Sequence, residues 1–94
     1  MSGQRIDIWL YRARFTKTRA AAARLITESG VRLVHDGVAR LIDKPSVEVV
    51  AGDALLMPLR GALRAIRVDG LGTRRGPVAE ARALYSEVDA QTLA

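Results

Sequence analysis

The apolar positions change period partway along the chain. From Ile6 they recur at Ile6, Trp9, Leu10 and Ala13, the i, i+3, i+4, i+7 spacing of one helix face. This predicts a first helix that ends near Arg14 or Phe15, with residues 1–4 as a loose start and Trp9 in the core. Thr16 or Thr18 offers a hydroxyl to cap a second helix, because an oxygen there accepts from the free N–H groups of a first turn. That helix runs to about Ser29 with Ala22, Leu25, Ile26 and Ser29 as its inward stripe, and Gly30 supplies a stop able to take positive φ.

Beyond Gly30 the pattern becomes strand-like. Val31–Val34 and Val38–Ile42 flank Asp36-Gly37, a pair suited to a two-residue hairpin turn. Lys44-Pro45-Ser46 interrupts, Val47–Val50 is apolar, and Ala51-Gly52-Asp53 turns again. Ala54–Leu59 and Leu63–Val68 form a second hairpin about Arg60-Gly61. Residues 69–76 read as a flexible loop, Pro77 suits a first helical position, and Val78, Ala81, Leu84 and Tyr85 predict an amphipathic helix to about Val88. The order α-α-β-β-β-β-α implies an α+β fold: two N-terminal helices packed on a small, mostly antiparallel sheet, with a short C-terminal helix. The expected organisation is one domain over 1–94, with a core over about 5–69, a loop over 69–76 and a helix over about 77–88.

Composition narrows the class. Ninety-four residues leave room for one modest core, and 49% hydrophobic with 27% charged residues argues against a disordered chain. Without cysteine there is neither a disulfide framework nor a thiolate zinc site. No apolar run approaches the roughly 18–20 residues of a membrane span. Arg5 and Asp7 open the first periodic segment where a secretory signal would be apolar, so a cytoplasmic location is expected.

Charge adds direction. Of the 15 Lys and Arg and 10 Asp and Glu, residues 1–40 hold eight basic groups and three acids, whereas residues 41–94 hold seven of each sign. The whole excess of +5 lies in the first forty residues. Such a one-sided field suits a polyanion, either a nucleic acid or an anionic membrane face, and also fits a merely solvated surface. The stretch Arg14-Phe15-Thr16-Lys17-Thr18-Arg19 puts three cations at a predicted helix start, where N–H groups and the helix dipole favour an anion. Arg5, Arg12 and Arg24 fall on adjoining turns.

Other motifs lead elsewhere or nowhere. The exposed positions of the second helix include Ala20, Ala21, Arg24, Thr27 and Glu28, mostly too short or wrongly charged to read bases in a major groove. Asp69-Gly70-Leu71-Gly72-Thr73-Arg74-Arg75-Gly76 spaces its glycines one residue wider than a dinucleotide loop and lacks a surrounding βαβ unit. Arg74 and Arg75 read equally as a secondary basic contact or a solvated loop. His35 is the sole histidine and has no nucleophile set around it. No catalytic residues, cofactor or metal are expected. Tyr11 lies off the apolar stripe, where it could stack on a base or pack partly against the domain.

Arg5-Ile6-Asp7, Trp9-Leu10, Ala13-Arg14-Phe15 and Lys17-Thr18-Arg19 closely resemble the opening of the RNA-binding domain family named for ribosomal protein S4. Asp36-Gly37, Lys44-Pro45-Ser46 and Gly52-Asp53 are similar to its later landmarks. Arg74-Arg75-Gly76-Pro77, Glu80-Ala81 and Leu84-Tyr85 resemble its subfamily of fifteen-kilodalton bacterial heat-shock proteins. The resemblance implies a helix pair on a small sheet that binds structured RNA, rRNA or tRNA, by shape and backbone. It implies RNA contacts for Arg5, Arg14, Lys17, Thr18, Arg19 and Lys44, to which the charge pattern adds Arg12, Arg24 and the strand residue Arg32. The subfamily association implies the large ribosomal subunit as partner and action on stalled subunits that retain peptidyl-tRNA. The same domain is also appended to RNA-modifying enzymes, so a targeting module working with a separate enzyme is the alternative. The expected oligomeric state is a monomer.

Overall fold

The computed structural model describes residues 3–93, the side chains of residues 92 and 93 excepted. Apolar spacing and capping set the helical half. Helix α1 spans Ile6–Arg12, and Arg14 leaves it with φ of 65°, a left-handed residue that turns the chain. Helix α2 spans Arg19–Arg24 and runs on through a widened, π-type turn at Leu25–Ser29 before Gly30, at φ 73°, ends it. Thr18 caps α2 by accepting from the Ala21 N–H at 3.0 Å. Of the predicted inward stripe, Ala22 and Ile26 are buried, Leu25 is half-buried and Ser29 is exposed.

Strand β1 (Gln4–Arg5) pairs with β4 (Glu48–Val49), so only Gly3 among the described residues of the predicted loose start lies outside an element. Strands β2 (Val31–His35), β3 (Val38–Ile42), β5 (Ala54–Leu59), β6 (Ala62–Val68) and β7 (Tyr85–Glu87) form a second, fully antiparallel sheet in the order β3-β2-β5-β6-β7. Both predicted hairpin turns form: Asp36-Gly37 and Arg60-Gly61 each take two positive φ angles, as a two-residue hairpin of type I′ requires.

Strand alternation sorts the sheet residues. Val31, Leu33, Leu55, Met57, Ile66 and Val68 are buried on the inner face, in one cluster with Ile6, Trp9, Leu10 and Ile26 of the helices. Each such side chain stabilises the fold by about 1.5–3 kcal/mol. Arg32, Leu41 and Leu63 lie on the outer face and are exposed. A terminal helix α4 (Ala90–Leu93) lies against β5 and β6.

The C-terminal third departs from the periodicity. Helix α3 is short, Val78–Arg82, and Tyr85–Glu87 is strand β7 rather than helix to Val88. The spacing of Val78, Ala81, Leu84 and Tyr85 was compatible with a helix, but the free edge of β6 offers ladder hydrogen bonds that a helix there would leave unpaired.

The segment 69–76 has no regular structure, but it is closely bonded to the rest of the molecule. Trp9, with no exposed surface, donates its indole N–H to the Gly70 carbonyl at 2.7 Å. Gln4 Nε2 and Arg12 donate to the Gly72 carbonyl at 3.2 and 3.1 Å, and the Asp69 and Gly70 N–H groups both donate to Leu84 O. Gly72 has φ of 72°, and a Cβ there would lie 2.9 Å from Leu84 Cδ1, so the segment is a close-fitted strap across α1. Replacing Trp9 with Phe removes the donor and leaves the Gly70 carbonyl unmatched. We expect the Trp9→Phe chain to lose about 1–3 kcal/mol of stability, read as a lowered urea midpoint with an unchanged slope.

Candidate nucleic-acid interface

The residues singled out in the sequence divide by what already holds them. Arg5 lies against the buried Asp7 carboxylate, with contacts of 3.2 and 3.1 Å. Arg12 is half-buried and committed to Gly72 O; Arg14 donates from Nε to Gly76 O at 2.7 Å. The Thr18 hydroxyl oxygen is taken by the α2 cap, which leaves its proton free to donate outward. Lys17, Arg19 and Arg24 are exposed, and their side chains have no ion pair or hydrogen bond among the described residues. These three sit on α2 or within two residues of its start.

Two further residues stand apart. Arg32 is on the outer sheet face between its register partners Leu41 and Leu56, away from the helices. Lys44 precedes the turn at Pro45, whose carbonyl accepts from the Asp7 N–H at 3.4 Å. This places Lys44 at the β1–β4 end with Arg5, roughly one α1 length, or about 10 Å, from the Lys17 corner. The structure thus gathers Arg14, Lys17, Thr18, Arg19 and Arg24 at one end, sets Arg5 and Lys44 at the other, and separates Arg32.

The arginines of the strap are structural. Arg75 donates to Tyr11 O at 3.1 Å and Thr16 O at 3.3 Å, and its guanidinium lies 5.0 Å from the Tyr11 ring centroid. Tyr11 is therefore stacked from within rather than open on that face. Arg74 pairs with Glu80 at 2.7 and 3.1 Å, and that bond holds the Glu80 carboxyl below its ordinary value.

Comparison with known proteins fits this geometry. The family model of the S4 domain matches residues 4–33, the segment that holds α1, the corner and α2. The likeness to the S4 domain lies in this helical third of the chain. None of the curated proteins matches it. The solved structure of Heat Shock Protein 15 from Vibrio cholerae, described as trimeric, has the same fold: TM-score 0.79 at 27% identity, over 97% of this chain and 87% of that one. The likeness extends beyond the S4 segment to the strap and β7.

Sequence reasoning missed a second charged constellation. Asp53 is buried, accepts from the Val50 N–H at 3.0 Å, and meets His35 Nδ1 at 2.5 Å. His35 Nε2 lies 3.3 Å from Asp36. Together with Arg40 and Glu48 these residues border an open cavity of about 370 Å³ at the β2–β3 hairpin. The signal was weak, because Asp53 reads in sequence as an ordinary turn residue after Gly52. Among the described residues no group of His, Cys, Asp and Glu is arranged to hold a metal. No helix in them is long and apolar enough to cross a membrane.

The hydrogen bond that His35 donates to Asp53 raises the His35 pKa above 6.5, aided by the charges of Asp53 and then Asp36 and opposed by desolvation and then Arg40. A pKa raised on folding gives stability that is full below about 6.5 and is lost as pH rises through the folded value. Proton NMR titration should place the His35 midpoint above 6.5, and Asp53→Asn should return it toward 6.5. Thermal melts should show the native chain, but not Asp53→Asn, losing this contribution on going from pH 6 to pH 9.

Proposed function

We propose that the chain binds structured RNA without catalysing a reaction, through the face formed by the α1–α2 corner. The observation that carries this is the unpartnered state of Lys17, Arg19 and Arg24, inside the segment that matches the S4 domain. Elsewhere in that segment Arg5, Arg12 and Arg14 already have internal partners. Three cations with no acid to neutralise them form a phosphate-binding face, since each phosphate neutralised releases a counterion. Short side chains such as Ala20 and Ala21 between them supply no base-edge readout, so selectivity comes from the shape of the folded RNA.

Arg5 and Lys44 form a smaller contact at the far end of α1, and Arg32 contributes only to an RNA that reaches the outer sheet face. The partner we propose is ribosomal RNA in the large subunit, with rescue of stalled subunits carrying peptidyl-tRNA as the specific role. The likeness to Heat Shock Protein 15 supports this choice over a targeting module for a separate enzyme. The proposed working state is a monomer in the cytoplasm. Since the Vibrio cholerae protein is described as trimeric, sedimentation of the free chain belongs beside the binding experiment, and a trimer would overturn the monomer.

Binding to purified large subunits at several salt concentrations, with duplex DNA as competitor, tests the reading. The salt slope should be steep, and replacing Lys17, Arg19 and Arg24 together by Gln should flatten it by roughly 2–3 in log K against log salt. Arg32→Gln should change it far less. A flat salt response of the native chain, or binding abolished by duplex DNA, would sink the proposal.

A further inference from the structure

Helices α1 and α2 cover only part of the inner sheet face. At the β5–β6 hairpin end, beyond Phe15, two adjoining hollows of about 250 and 290 Å³ share Arg14 and Tyr85. Each is close to the lower end of small-ligand site volumes, about 300 Å³. Arg60 and Arg64 border the first with Phe15; Arg75 and Arg82 border the second. Five guanidinium groups and no carboxylate residue line the pair.

The groups in this groove are of two kinds. Arg14 and Arg75 are held by backbone carbonyls, and Arg64 pairs with Glu87 while lying 5.3 Å from the Phe15 centroid. They are walls. Arg60 and Arg82 are exposed and unpartnered among the described residues, and the Tyr85 hydroxyl likewise has no hydrogen bond. The Phe15 and Tyr85 rings lie 4.5 Å apart at 52°, with Phe15 the more buried, so Tyr85 is the ring available to a ligand.

A half-exposed ring supplies a flat apolar surface, and free guanidiniums supply charge with forked donors. The ligand that matches both is planar on one part and anionic on another. Phe15 is also two residues from Lys17, so their Cα atoms are no more than about 7.6 Å apart. An RNA held at the corner therefore passes the mouth of the groove.

We propose that this groove takes one unpaired RNA nucleotide flanking the duplex held at the α1–α2 corner, its base against Tyr85 and its phosphate on Arg60 and Arg82. The inference rests on the RNA-binding reading and adds a second contact of different chemistry. The corner is indifferent to base pairing, whereas the groove requires a base free to leave its stack.

The test compares a blunt RNA hairpin with the same hairpin bearing a short single-stranded adenosine overhang, by fluorescence anisotropy of labelled RNA. The overhang should tighten binding about tenfold, as expected for one stacked base. The pair Arg60→Asn and Arg82→Gln should abolish that gain and leave blunt-hairpin affinity within about twofold; Asn is chosen because Arg60 sits at φ 52° and Asn tolerates left-handed backbone. Tyr85→Leu, with its fold checked by thermal melting, should also lose the gain. Lys17→Gln with Arg19→Gln should weaken both RNAs alike. Equal binding of the two RNAs by the native chain, a gain that survives the Arg60 and Arg82 changes, or an equal loss on both RNAs from the Arg60 and Arg82 changes would overturn the groove. Binding of neither RNA at low salt would instead overturn the RNA-binding reading itself.

Discussion

The indole N–H of Trp9 joins the two ends of this chain. The ring is wholly buried, and a buried indole N–H needs an acceptor because burial without one costs more than the bond returns. Its acceptor is the carbonyl of Gly70, 61 residues away, at 2.7 Å. That bond draws the strap over α1, and the rest follows from its placement. Gly72 comes within reach of Gln4 and Arg12, Gly76 within reach of Arg14, and Arg75 within reach of the carbonyls that end α1. The turn from α1 to the corner is thus held from outside. Arg14 can occupy a left-handed conformation because its side chain and the Arg75 fork fix the backbone on both sides.

The strap also decides what the arginines do. An irregular segment exposes carbonyls that no ladder satisfies, and Arg, with five donors and no acceptor, is suited to reach them. Arg12, Arg14 and Arg75 are used in this way, and Arg5, Arg64, Arg67 and Arg74 lie against acids. Net charge therefore gives only the sign of the surface. What is left to face solvent is the remainder that folding leaves unpaired, and much of that remainder lies at one corner and one groove.

Features set by neighbours in sequence were legible: the helix pair, the Thr18 cap, the Gly30 stop and both hairpin turns. Each depends on a period or on the backbone preference of one or two residues. The features that were not legible depend on partners far along the chain. Tyr85 fits an amphipathic helix until β6 presents an edge to pair with it. Arg75 looks solvated until α1 ends beside it, and Asp53 looks like a turn residue until His35 arrives from β2. Arg32 reads in sequence as a strand residue extending the basic surface, but which face it takes depends on its register with Leu41 and Leu56, because a strand reverses face with every residue. The α1–α2 corner is one continuous stretch of sequence, whereas the groove draws on four separate elements and their connections.

The free cations at the corner carry a cost that bears on their role. Lys17, Arg19 and Arg24 repel one another, and Arg19 stands in the first turn of α2, where the helix dipole disfavours a cation. Removing them would relieve that repulsion at little loss of packing, since all three are exposed. The same chain pairs Arg5, Arg64, Arg67 and Arg74 with acids at short range, so an acid near the corner would have been structurally easy. On the reading proposed above, the partner that offsets this cost is an external one. The partner that lowers this repulsion most is one that brings several regularly spaced negative charges at once, as the backbone of a folded RNA does.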